Sequence, residues 1–211
     1  MSVYKSYKKQ KNYDEAYIQW RKACEVCPET ASEGLYADGT SFIGKELKKV
    51  DAEDPRHAVL VDSLMYLHDK RMELYPSTKR SPNNRCVVLG RKATDFYKYN
   101  KGAHQEAYTM FKESLDCLGA EASATTLYQY YTASFYTMKR SLKGDTLAQS
   151  NMRAQMLTDY LNLVDYIETG VARATEAGKE RDLKRYEKAK KNVETVFVAI
   201  ADCDDMVPVL A

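Results

Sequence analysis

Cys24 and Cys27 are separated by two residues, a spacing at which two thiols can exchange a disulfide or share a metal ion. Redox chemistry needs a thiolate, and a helix N-terminus is the place that stabilises one. These two cysteines close a helical stretch just before Pro28, where the dipole works against ionisation. A zinc site needs two more ligands at short spacing, and Cys86, Cys117, Cys203 and the three histidines are too scattered to supply them. The pair is therefore expected to pack rather than react. A redox-active or metal-binding protein using Cys24 and Cys27 is the alternative reading. His57, His68 and His104 have no nucleophile in a recognisable turn beside them, and His68, on an apolar stripe, reads as a core residue. The glycines never cluster into a phosphate loop. The carboxylates of Asp182 to Glu194 are interleaved with Lys and Arg, as on a solvated face held by pairs one helical turn apart. No catalytic residue, metal or cofactor is expected, and the chain reads as a non-enzyme.

The chemistry that remains is recognition. Lys5, Lys8 and Lys9, then Arg91 and Lys92, lie on stretches that would line the concave groove of a helical-repeat array. Their cationic heads there would hold a carboxylate, including a peptide C-terminus, by charge-assisted bonds. Tyr128 and Tyr131, on the next groove-lining stretch, would stack on the ligand's side chains. The function so read is a protein–protein interaction module or adaptor that binds a peptide segment or partner protein in a concave helical groove. A scaffold that only dimerises through its terminal helices is a further reading.

The elements that must position these residues are legible from Asn12 to Pro28. Small Ala16, bulky Trp20, small Ala23 and a stop at Pro28 form the second half of a tetratricopeptide-type helix hairpin. The small residue lets two helices approach, and the aromatic one turn on fills the groove toward the next hairpin. Tyr7 is expected to supply the aromatic of the preceding helix. The pattern recurs at Tyr97, Ala107, Phe111 and Ser114, with FYKYNKGAHQEAYTMF matching SYKKQKNYDEAYIQW.

Between these copies, a box from Thr30 to Glu33 would cap a third helix that ends near Val50. Asp54 followed by Pro55 opens a fourth, with Val61, Leu64, Met65, His68 and Met72 facing inward up to Pro76. Residues Ser77 to Asn84 read as a flexible turn. Ser123 opens an aromatic-rich helix that stops at Gly144, Asp145 caps a long one to about Arg173, and Gly178 precedes a closing helix. The resulting expectation is all-α: one domain over residues 1–211, an α-α superhelix of stacked antiparallel hairpins with about nine helices. The hairpins span about 2–28, 32–76, 85–119 and 123–173, and the closing helix 180–201. Cys86 and Cys117, similarly distant from the turn at Asn100 to Ala103, should be neighbours on inward stripes and able to bridge in an oxidising compartment.

Composition agrees with this reading. A formal charge of +2 gives no global drive toward nucleic acid or an anionic membrane. The longest apolar run, Val196 to Ala201, is far short of the roughly 20 residues that cross a bilayer, so the chain reads as soluble. No signal peptide is legible, and the abrupt start at Met1 reads as a trimmed end. Seventeen tyrosines among 211 residues suit half-buried repeat surfaces that also face ligand.

The hairpin motifs, with LGRKATDFYKY at Leu89 to Tyr99 and RYEKAKKNVETVF at Arg185 to Phe197, resemble the envelope-associated tetratricopeptide repeat proteins of Gram-negative bacteria. The second hairpin departs from the repeat pattern. The resemblance implies an adaptor at the inner, periplasmic face of the outer membrane, without cofactor or chemistry.

Overall fold

A computed structural model describes residues 2–26 and 32–201. The chain is all-α, with nine α-helices and no named strand among those residues. It divides into two compact units, Met1–Val88 and Leu89–Ala211, and the division falls inside α5 (Asn84–Tyr99).

The first unit stacks α1 (Val3–Lys9), α2 (Tyr13–Val26), α3 (Glu33–Glu46) and α4 (Pro55–Leu74), each on the next. A tight turn joins α1 to α2, with Lys11 at φ 62 in the left-handed region. Ala16 is fully buried there, as the repeat pattern requires, but the aromatic that α1 buries is Tyr4, not Tyr7. Tyr4 meets Phe42 of α3 edge-on at 6.3 Å, so this aromatic serves the neighbouring hairpin as well as its own. Asp54 and Pro55 open α4 as expected, the Asp54 carboxylate accepting from the Arg56 N–H at 2.8 Å. The start of α3 differs from expectation. Thr30 lies outside the described residues, and Ser32 is the N-cap without a side-chain bond. Glu33 reaches across to Arg71 instead. The inward stripe of α4 is Val61, Leu64, Leu67, His68, Arg71 and Met72, so Leu67 and Arg71 join it and Met65 is only half-buried. α3 also stops at Glu46 rather than near Val50.

The segment after α4 is a built turn. Thr78 and Ser81 exchange backbone bonds of 2.9 and 3.1 Å, leaving Lys79 and Arg80 exposed at the tip. Behind them the Arg85 N–H donates to the Pro76 carbonyl at 2.9 Å, and the Asn84 amide donates to Tyr75 O and to Glu33 Oε1. The expected flexible loop is thus fastened on both sides, because side chains of neighbouring helices satisfy its ends.

The second unit contains the remainder of α5, α6 (His104–Leu118), α7 (Ala124–Tyr136), α8 (Thr146–Glu176) and α9 (Glu180–Val198). α6 packs on α7, and α9 packs on both α7 and α8. Ala107, Phe111 and Ser114 are all fully buried, matching Ala16 and Trp20 of the first copy. Gly90 marks a close approach, since a Cβ there would lie 2.8 Å from Ser114 Oγ and 3.0 Å from Thr126 Oγ1. Ser123 and Asp145 cap α7 and α8 as their types predict. A π-helical turn, Thr137–Ser141, follows α7. Cys86 and Cys117 are both disulfide-bonded, whereas Cys24 is a free thiol. Cys117 lies on the exposed side of α6, not on the inward stripe, which runs through Ser114, Leu115 and Leu118.

One buried group of the second unit gives a pH dependence. The His104 ring, 9% exposed, stacks on Tyr136 at 5.2 Å and meets the edge of Tyr97 at 5.7 Å. The Arg140 guanidinium lies over the other ring of this stack, 5.0 Å from Tyr136. Burial, then Arg140, lower the His104 pKa from its ordinary 6.5, and Glu106 only partly opposes them. The folded state therefore prefers the neutral ring while the unfolded chain takes up the proton. Stability from this group is complete above about pH 6.5 and is lost as pH falls from there through the lowered folded value. Urea unfolding at pH 8, 6.5 and 5.5 is expected to show a decline that shrinks in His104→Phe; an equal decline in both proteins would assign it elsewhere.

Candidate functional site

A broad concavity of the first unit lies between α2 and α4, over α3. Trp20 explains why it exists. Its indole lies against Gly39 of α3, where a Cβ would overlap the ring, and its Nε1–H donates to the Leu35 carbonyl at 2.8 Å. Phe42 and Tyr17 flank it, with ring centroids at 6.0 and 5.9 Å. α2 is thereby drawn down onto one side of α3 while α4 packs on the other, and an apolar trough is left between them. Its volume is about 730 Å³. A second depression of about 480 Å³ continues it toward Val50 and Pro55, sharing Tyr17, Arg21, Val59 and Leu60.

Trp20, Leu35, Ile43 and Leu67 form the floor, all buried. Tyr17 and Cys24 line the α2 wall, and Val59, Leu60 and Tyr66 line the α4 wall. Val59 and Tyr66 are 64% and 58% exposed, with the Lys70 ammonium 6.0 Å from the centre of the Tyr66 ring. Arg21 and Glu25 stand on one rim and Asp62 on the other.

Cys24 bears on the chemistry of this trough. Burial, reinforced by the neighbouring Glu25 carboxylate, pushes its thiol up to about 11. Near neutral pH it is S–H, a poor nucleophile and a poor ligand. Cys27 lies outside the described residues. No group of three His, Cys, Asp or Glu among the described residues is placed to hold a metal ion. No described helix is long and apolar enough to cross a membrane.

The residues expected to line a concave groove are placed variously. On α1, Lys5 and Lys9 are exposed, while Lys8 is tied to Asp38 of α3. Arg91 and Lys92 belong to the second unit, Arg91 exposed and Lys92 half-buried. Tyr128 is half-buried. Tyr131 is a correction: it is fully buried, its hydroxyl donates to the Met156 carbonyl at 3.1 Å, and burial raises its pKa. It is a core residue because α7 is covered by both α8 and α9, leaving no ligand-facing side at that position. The trough residues Val59, Tyr66 and Tyr17 had one sequence signal. Val59 and Tyr66 are two helical turns apart on α4 and off the inward stripe, two apolar residues that the stripe does not need.

No protein-family model, curated protein or solved structure matches the chain.

Proposed function

We propose that the chain is a non-enzymatic protein-interaction module built of tetratricopeptide-type hairpins, whose α2–α3–α4 trough takes an apolar helical segment of a partner protein. The observation that carries this reading is the trough itself, an aromatic and aliphatic floor with exposed Val59 and Tyr66 on its wall. Its walls are helices, whose backbone groups are already bonded within each helix, so no strand edge is offered to an extended peptide. An occupant must satisfy its own backbone, and a helix does so. From Leu35 to Glu46 the floor is about 16 Å long, room for about three turns. Arg21 and Glu25 on one rim and Asp62 on the other favour a segment with charges of both signs beside its apolar face. The disulfide-bonded Cys86 and Cys117 favour an oxidising compartment such as the periplasm, which the resemblance to envelope proteins also implies.

Selection from a displayed library of short segments tests the reading. Enriched segments are expected to be helix formers with apolar residues at i, i+3 or i+4 and i+7. Their binding should change the fluorescence of Trp20, the one tryptophan in the chain, and be lost in Leu60→Glu. Enrichment of extended acidic segments that still bind Leu60→Glu but not Lys5→Glu would move the site to α1 and sink the trough.

A further inference from the structure

Arg181, Lys184, Lys188 and Lys191 are all exposed on the solvent side of α9, and they follow one another at three- and four-residue steps. They lie opposite the buried stripe Tyr186, Ala189, Val193 and Phe197, so they form a single outward ridge about 15 Å long. The pairs expected within this helix are mostly not made. Asp182 is taken by Arg185 at 3.3 Å, and Lys190 reaches across to Glu168 of α8 at 2.9 Å. None of the four ridge cations has an ion-pair partner among the described residues.

We propose that this ridge is a second docking surface, on the second unit and chemically unlike the trough, for an acidic helical segment of a partner protein. Glu180 and Glu187, two helical turns apart, run along one edge of the ridge. They decide between anionic partners. A nucleic-acid backbone or an anionic bilayer is negative throughout and would set charge against these two carboxylates as well as against the four cations. A helix carries carboxylates at discrete positions with the same three- and four-residue period as the ridge. It can oppose the cations and leave a Lys or Arg for Glu187, as charged flanks do in paired helices. Exposed pairs are individually weak, so the contact sets orientation and encounter rate, and salt weakens it.

The test uses three labelled probes on the whole chain: an alanine-rich helical peptide with Glu at three- and four-residue spacing, a short single-stranded DNA, and vesicles containing phosphatidylserine. Fluorescence anisotropy, or co-sedimentation for the vesicles, is read at low and high salt. The peptide is expected to bind best, and Lys184→Glu with Lys188→Glu should weaken it about tenfold, with a Lys-substituted peptide recovering binding to that variant. Circular dichroism melts of the variant establish that α9 still packs. The proposal is overturned if the peptide binds no better than one of the same composition in scrambled order, or if DNA or vesicles bind more tightly. It is equally overturned if the reversal leaves peptide binding unchanged.

Discussion

Glu33→Ala is expected to lower the unfolding free energy by about 3 kcal/mol, near the lower end of the range for breaking a buried ion pair. One oxygen of Glu33 receives Arg71 Nε at 2.9 Å, Arg71 Nη2 at 2.8 Å and Asn84 Nδ2 at 2.9 Å. Arg71 is 6% exposed and Asn84 3%, so removing the acceptor strands a cation out of water and leaves the Asn84 amide with only the Tyr75 carbonyl. The Glu33 side chain is itself 28% exposed, and water reaching that end holds the loss below its maximum. Glu33→Gln should fall between, because it keeps an acceptor and loses the charge. The paired change Glu33→Leu with Arg71→Met should recover most of the loss, since well-packed apolar groups often replace such a pair at no cost. Urea unfolding of the single and paired variants decides it. If the paired change costs as much as the two single changes summed, the residues act independently and the cluster is not a unit.

Trp20→Ala carries the other large effect, about 3–5 kcal/mol, from a buried aromatic lost at a helix-packing site. Gly39→Ala approaches the same spot from the opposite side. In an open helix that change would gain up to about 1 kcal/mol, but here the new methyl overlaps the indole, and overpacking costs about 1–3 kcal/mol. The two losses should not add. With the indole gone, the methyl added at position 39 enters the vacated space, so the double variant is expected to be more stable than the sum predicts. A thermal or urea double-mutant cycle measures the coupling. A loss below about 1 kcal/mol for Trp20→Ala would mean that α1 and α2 are not docked on α3.

Much of the fold was legible because its signals are local. Asp54 with Pro55, Ser123 and Asp145 act at helix starts through bonds to residues two or three positions on, and their types alone foretell them. The alternation of small and aromatic residues at Ala16 and Trp20 recurs at Ala107 and Phe111, and all four are buried. What failed depended on partners distant in sequence. Tyr4 is buried rather than Tyr7 because Phe42 receives it, and Glu33 serves Arg71 instead of a helix cap. Tyr131 could not be told from a groove residue until α8 and α9 covered it. The trough was invisible for the same reason, since it is the space between helices and no single helix encodes it.

The fastening of the turn after α4 has a consequence for how the gene can change. Both ends are secured before the tip is reached, by Arg85 on Pro76 and by Asn84 on Tyr75 and Glu33. Lys79 and Arg80 then span a gap whose width is already set. Extra sequence inserted between them would emerge and return at neighbouring points and demand nothing of the helices, because lengthening an exposed tip costs little once its ends are held together. This is the place where the chain can acquire a graft, whether an affinity tag or an entire added domain.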